Sequence, residues 1–313
     1  MAVIGIDLGG TKLSVGLFNE NGQLVQKQHS LLNNRAGKEV GAFITSGISE
    51  ILSKEKNEVL GAIGVAVPGI SRIRNGTVWA PNIPEWDDYP LLSELKLAFP
   101  KVPIIIESDR GCSILGERWK GNANGCRDVI YLAVGTGIGA GILIDGDILH
   151  GAHDIGGAIG WMALDKPFNK KYIQCGCFEF HASGNGISRM ASELAEKSPS
   201  YDGPLKKNSI RAEDVFRAFE QDDEIANQVL KECIQYWGMA VANLVSLFNP
   251  EKIILGGGVF GPALQFIPSI YEEALKWAQP ISIKRVEILP SALKEDAALH
   301  GAAYLALQQI GVL

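Results

Sequence analysis

One pattern constrains this chain more than any other, because it occurs twice. "VIGIDLG", from Val3, is a β-branched apolar run that reads as a strand, and "DLGGTK", Asp7 to Lys12, leads from it straight into a second strand. "DVIYLAVGTGIGAGILIDGDIL", from Asp128, repeats the plan of strand, glycine turn and strand, with Asp145-Gly146 as a further hairpin turn. A dinucleotide fingerprint needs its glycine turn to open a helix, and here the glycines lead into strands. A Walker A sequence is also absent. The repeat therefore predicts two lobes of related topology, each opening on a glycine-turned hairpin.

The rest of the chain fits an α/β protein with mixed sheets. After the first hairpin, whose strands are joined at Asn21-Gly22, a helical pattern runs from about Glu39 to Leu52. "VLGAIGVAVPG" and "VPIIIESD" read as buried strands, the second ending at Asp109, and "CSILGERWKG" reads as a helix beginning just after it. Residues Met190 to about Asp223 are mixed and polar with short helical patterns. "IANQVLKECIQYWGMAVANLVSLF" is the longest helix and stops at Asn249-Pro250, as proline requires. "KIILGGG" is another strand entering glycines, and "DAALHGAAYLALQQI" closes the chain as a helix. With 313 residues, 46% of them hydrophobic, there is material for two lobes.

Composition removes whole classes of function. Phosphate-backbone binding draws on clustered Lys and Arg, and a formal charge of -6 argues against a nucleic-acid partner. No run of 18 apolar residues is present, so no membrane span is expected. The N-terminus lacks the order of a signal peptide, and five scattered cysteines do not make a disulfide scaffold; both point to the cytoplasm.

Glycines after strands let backbone amides approach phosphate oxygens. Three such turns are candidates: Gly9 and Gly10 with Thr11 and Lys12; Gly135, Thr136 and Gly137; and Gly256, Gly257 and Gly258. Thr11 adds a hydroxyl, Lys12 a positive charge, and Asp7 is placed to orient a metal ion or its water shell. Each turn alone is equally a plain hairpin; together they favour a nucleotide between two lobes. Carboxylates at the C-terminal end of a buried strand project where such sheets bind ligands, and phosphoryl transfer needs one to receive the attacking hydroxyl's proton. Asp109 is the candidate base; its alternative role is to cap the following helix through Gly111. Glu107 is assigned no chemistry. Arg110 is expected to touch a phosphate or to pair with Glu117.

With these motifs in order, the chain resembles the ROK family (repressors, open reading frames and kinases) of the actin/hexokinase/Hsp70-like superfamily. "IGIDLGGTK" and "AVGTGIGAGILIDG" resemble its two phosphate motifs, "VAVPGI" and "WAPNIPEW" its sugar-contacting loops, and "SDRGCSILGE" its Asn-Asp-Ala-Asn region. "ILGGGV" and "GAAYLAL" resemble its adenosine side and closing helix. The resemblance implies a two-lobed actin-like ATPase fold of duplicated ribonuclease H-like domains, with the ligand cleft between the lobes. A small α/β domain, residues 1–115, would be completed by the C-terminal helix 299–313, and residues 116–298 would form the large domain. It implies an ATP- and Mg2+-dependent, glucokinase-like kinase acting on a hydroxyl of a hexose or related polyol, usually a cytoplasmic homodimer. Its acceptor contacts map onto Gly69, Asn82, Ser108 (normally Asn), Asp109 and Glu179.

"HGAHDIGGAIGW", His150 to Trp161, departs from the pattern. It resembles a segment ending Ala-Gly-Glu-Ile-Gly-His, whose glutamate and histidine hold sugar hydroxyls and whose histidine also binds structural zinc. Here those positions are Ala158 and Trp161. The family's zinc cysteines map onto Lys170, Tyr172 and Cys177, so no structural zinc is expected. Cys175, Cys177 and His181, with His150 or His153 recruited, would be a different metal set; the plainer reading is two thiols and an ordinary histidine. Trp161 would stack on an apolar ring face or fill space, and Asp154 and His153 would supply replacement polar contacts. The acceptor is then glucose, another hexose, an amino sugar or a cyclitol, and a non-catalytic sugar-binding protein of the same fold stands as the alternative. A repressor of this family would carry a DNA-binding domain ahead of the first phosphate motif, and Asp7 lies close to the start of the sequence.

Overall fold

A computed structural model describes residues 1–54 and 59–313. In chain order the first elements are β1 (Ala2–Leu8), β2 (Lys12–Asn19), β3 (Leu24–Leu31), α1 (Gly37–Lys54), β4 (Leu60–Val67), β5 (Ile70–Arg72), β6 (Thr77–Trp79), α2 (Leu91–Ala98), β7 (Ile104–Ser108) and α3 (Asp109–Lys120). There follow β8 (Val129–Val134), β9 (Ile138–Ile144), β10 (Asp147–Ile148), α4 (Cys177–Ala182), α5 (Gly184–Lys197), α6 (Ala212–Phe219) and α7 (Glu224–Phe248). The chain closes with β11 (Lys252–Gly256), α8 (Ile267–Trp277), β12 (Glu287–Pro290) and α9 (Ala297–Gln309). Among the described residues no helix is long and apolar enough to cross a membrane.

The chain forms two compact units. The first comprises Met1–Gly125, Ile148–Gly156 and Ala292–Leu313; the second comprises Cys126–Asp147 and Gly157–Ser291. The five-stranded sheet of the first has the order β3-β2-β1-β4-β7, and the second sheet has the order β10-β9-β8-β11-β12. Each opens on an antiparallel hairpin and continues with parallel strands on the other side of its first strand. The two strand orders correspond position for position, which is the duplication the repeated hairpins imply.

In the first unit β1 is buried almost throughout because both sheet faces are covered, as its unbroken apolar run requires. One face packs Ile4, Ile6 and Val65 against Val40, Ile44, Ile48 and Ile51 of α1. The other packs Val3, Phe18 and Ala62 against Leu299, Ala303, Ala306 and Leu307 of α9. The α9 approach is close enough to need glycines: a Cβ on Gly64 would land on the Ala302 carbonyl, and one on Gly301 on the Cys112 carbonyl. In the second unit the core is built from β8, β9 and β11 with the buried face of α7, including Trp237, Val241 and Val245. Asp223 caps that helix by accepting from the Ala226 amide at 2.9 Å, and Asn249, in the left-handed region (φ 46°), ends it before Pro250.

Candidate functional site

In the first unit, β1 delivers Asp7 and the following turn delivers Gly9 to Lys12. The Gly9 amide donates to the Lys12 carbonyl at 2.8 Å, and Gly10 lies against Asn82: a Cβ there would come within 3.1 Å of the Asn82 Cβ. Thr11, Gly10 and Asn82 are exposed, and the Lys12 ammonium lies 3.5 Å from Glu295. The Asp7 carboxyl is raised to about 7, first by burial and then by Asp109; Asp296 adds to the shift, while Lys12 and Lys27 oppose it. Lys27 of β3 pairs with Asp296 at the start of α9, which limits the negative charge around Asp7. Lys27 and Asp296 carried no sequence signal.

The parallel pairing of β7 with β4 carries Ser108 and Asp109 to the carboxyl end of the strand. Ser108, not Asp109, caps α3: its Oγ accepts from the Gly111 amide at 3.1 Å. The Asp109 carboxylate accepts from the amide of Arg110 at 2.8 Å. Protein crowds it on one side and 42% of the side chain is open on the other; the pKa is raised, with burial the largest cause and Arg110 opposing it.

Arg110 meets Gly69 and Asp109 and not Glu117. Its guanidinium donates to the Gly69 carbonyl at 2.9 Å and lies 3.7 Å from the Asp109 carboxylate. Gly69 has φ +93°, and a Cβ there would strike the Trp79 carbonyl, so only glycine presents its carbonyl this way. Glu117 is fully buried and accepts from the amides of Asn122 and Leu293, both at 2.9 Å, tying α3 to the segment before α9.

Glu107, assigned no chemistry from sequence, is a buried carboxylate with a dedicated network. One oxygen accepts from the amide and hydroxyl of Ser108 at 2.7 and 2.9 Å, and the other lies 2.7 Å from His150 Nε2. His150 belongs to the 148–156 segment that packs with this unit, as does Asp154, half-buried and left-handed (φ 59°). The His150 pKa is raised, first by the hydrogen bond to Glu107 and further by the charges of Glu107 and Asp154, against desolvation. His153 is exposed. A carboxylate closing an apolar strand run was the only available signal for Glu107, and nothing local paired it with a histidine 43 residues away.

In the second unit, the Gly135 amide donates to the Gly137 carbonyl at 2.9 Å, and the amide of Gly184, opening α5, donates to the Gly135 carbonyl at 2.8 Å. Thr136 is exposed at the tip. Glu179 of α4 holds this turn from below: it accepts from the Ile138 amide at 2.6 Å, and a Cβ on Gly137 would come within 2.7 Å of its carboxylate. A Cβ on Gly160 would lie 3.0 Å from the Glu179 Cβ, so Glu179 also backs the short helical turn Ile159–Trp161. Trp161 is 59% exposed and Ala158 half-buried. Gly256 to Gly258 follow β11, and Gly257 is left-handed (φ 88°).

The residues at the resembled zinc positions do not fit zinc. Tyr172 is buried, its hydroxyl 3.1 Å from Asp165 and 2.9 Å from His181 Nε2. One O–H serves the carboxylate, so His181 Nε2 carries the hydrogen given to Tyr172. The His181 ring stacks on Tyr236 at 4.4 Å, and its pKa is lowered, chiefly by burial. Among the described residues no group of three or more His, Cys, Asp or Glu side chains is placed to hold a metal. His181 and Tyr172 thus brace the loop between Trp161 and Glu179.

These elements have known counterparts. Residues 3–309 match the ROK family. A glucokinase of Halalkalibacterium halodurans is 33% identical over 98% of this chain and 95% of its own length. A ROK family glucokinase of Streptomyces griseus, solved in complex with glucose and AMPPNP, superposes with a TM-score of 0.77 at 27% identity, covering 98% of this chain and all of that one. The ROK hexokinase of Thermus thermophilus gives 0.80 at 28% identity, covering 98% of this chain and 99% of that one. The fold is the two-lobed actin-like ATPase fold. The chain belongs to the ROK family.

Proposed function

We propose that this protein is an ATP-dependent carbohydrate kinase in which Asp109 is the general base and the acceptor is a hexose or related polyol. The observation that carries the reading is Asp109 itself: a half-open carboxylate at the end of a parallel strand, with a raised pKa and a charged neighbour that fixes its place. As the acceptor oxygen bonds to the γ-phosphorus, its proton passes to Asp109 and the bond to the leaving ADP oxygen breaks. Gly9 to Lys12, Gly135 to Gly137 and Gly256 to Gly258 are the proposed nucleotide contacts. Gly69, Asn82, Ser108, Glu179, Asp154 and Trp161 are the proposed acceptor contacts.

Asp7, a carboxyl kept largely from water among other acids, fits a site for Mg2+ held directly or through water. Magnesium there would neutralise charge on the ATP phosphates. The protein is further proposed to be a cytoplasmic homodimer, which sedimentation tests.

Glucokinase relatives support glucose as an acceptor, while Ala158 and Trp161 argue for another. A carboxylate that accepts from two hydroxyls is missing at 158, and each unpartnered buried hydroxyl costs about 1–3 kcal/mol. The test is ADP release across a panel of hexoses, amino sugars and cyclitols, for wild type and Asp109→Asn. Phosphorylation of an acceptor by wild type and its loss in Asp109→Asn support the reading; wild-type silence on the whole panel, with measurable sugar binding, supports a non-catalytic sugar-binding protein. The double variant Ala158→Glu, Trp161→His is expected to shift preference toward glucose.

A further inference from the structure

Ser108 stands where family members carry asparagine, and the structure shows what that exchange removes. An asparagine amide brings two N–H groups; serine brings one O–H. That hydrogen is given to Glu107 at 2.9 Å, and the same oxygen accepts from the Gly111 amide at 3.1 Å. What Ser108 can still offer is a lone pair. An acceptor hydroxyl can donate to it but receives nothing back.

A donor stands at the same carboxylate. Glu107 is buried, and its other oxygen takes His150 Nε2 at 2.7 Å, so Nε2 carries a hydrogen. The His150 side chain is 32% exposed, and no group among the described residues bonds its Nδ1. The charged groups facing the ring are Glu107 from β7 and Asp154 from its own loop, and both are acidic. Such surroundings favour the doubly protonated ring, in which Nδ1 is also a donor. His150 and the Ser108 hydroxyl share the Glu107 carboxylate, at 2.7 and 2.9 Å, and Asp109 follows Ser108 directly, which places these residues in one neighbourhood.

We propose that His150 is a specificity-determining residue whose Nδ1–H donates to an oxygen of the acceptor lying beside Ser108 and Asp109. The inference rests on the kinase reading above. Glu107 is its positioning residue, gripping the ring through Nε2 and the Ser108 hydroxyl through its other oxygen. The donor replaces the amide N–H that Ser108 lacks, and it favours acceptors with an oxygen lone pair at that point over their deoxy analogues.

The sign with pH follows. With Nε2–H committed to Glu107, Nδ1 has a hydrogen only while the ring is protonated. Acceptor kcat/KM therefore falls as pH rises through the His150 pKa, which lies above the usual histidine value.

Asn and Gln separate the two ring nitrogens, since a Gln amide reproduces Nε2 and an Asn amide reproduces Nδ1. Acceptor kinetics at saturating ATP are measured from about pH 5.5 to about pH 9, with thermal melts to confirm folding. His150→Gln is expected to raise the acceptor KM about tenfold or more, to leave kcat within about threefold, and to lose the alkaline fall. His150→Asn is expected to regain part of the affinity. A His150→Gln enzyme with wild-type KM and an unchanged alkaline fall overturns the inference. If wild type transfers no phosphate to any acceptor, the kinase reading fails, and calorimetric sugar binding judges His150: about tenfold weaker binding in His150→Gln upholds it and equal affinity overturns it. A protein that binds no sugar overturns both.

Discussion

Replacing Arg110 by alanine tests the assignment of Asp109 most directly. The guanidinium lies 3.7 Å from the Asp109 carboxylate and is 19% exposed, while the aspartate is 42% exposed. At that separation Coulomb's law gives about 1 kcal/mol in water-like surroundings and about 4 kcal/mol at an effective dielectric of 20. The open side of Asp109 screens the pair, so the lower figure governs, and it corresponds to a pKa change of roughly 0.8. A carboxylate that loses its cation becomes harder to ionise, so its pKa rises. The base must be ionised to work. The acid limb of kcat/KM against pH therefore moves to higher pH by about 0.5 to about 1 unit in Arg110→Ala. Arg110→Lys keeps the charge and leaves the limb in place, but it lacks the planar fork that reaches the Gly69 carbonyl 2.9 Å away, and the acceptor KM rises. The assay is initial-rate ADP release at saturating Mg-ATP across pH, with folding checked by thermal melt. A folded Arg110→Ala enzyme whose acid limb coincides with wild type would refute the reasoning, because ionisation of Asp109 would then not govern the rate.

Asp7 has its pKa raised to about 7, so the fold favours its protonated form: this group adds stability as pH falls from about 7 toward its ordinary value and withdraws it above 7. In metal-free buffer, Asp7→Asn is expected to melt higher than wild type at about pH 8, with the difference shrinking toward about pH 4; equal melting temperatures at both pH values would contradict this. Tyr172→Phe removes the bond to Asp165 and the acceptor of the His181 hydrogen, and is expected to cost about 1–3 kcal/mol in chemical denaturation, whereas a zinc chelator leaves the wild-type melting temperature unchanged. Gly301→Ala drives a methyl group onto the Cys112 carbonyl and is expected to cost about 1–3 kcal/mol or more, read as a lowered melting temperature.

The sequence revealed what is periodic or local. The strand of "VIGIDLG", the helix from about Glu39, the long helix ending at Asn249 and the closing alanine-rich helix all carry a period or a stop signal, and each is present. The alternative role offered to Asp109, capping α3, falls to Ser108 one residue earlier; both are good cap residues and only backbone geometry separates them. Long-range partners were not legible. Arg110 reaches Gly69, 41 residues back, Glu117 accepts from Leu293, 176 residues on, and Glu107 meets His150 through the packing of a later loop. Those pairings are consequences of topology, and no spacing in the chain encodes them. The departures at Ala158 and Trp161 were visible, but that Ser108 spends its hydrogen on Glu107 was not.

The first unit takes its last helix from residues 297–309, after the chain has laid down all of β8 to β12. Until α9 exists, Val3, Phe18 and Ala62 lack the cover of Leu299, Ala303, Ala306 and Leu307 on that face of the sheet. During synthesis the second unit's strands are thus made before the first unit can close, although the first began earlier. The half-built sheet is a sticky surface for as long as translation of the intervening residues takes, a state in which chaperones bind and aggregation begins. Slowing translation through residues 157–291, or truncating α9, should lengthen chaperone association without altering any residue proposed above to contact the nucleotide or the acceptor.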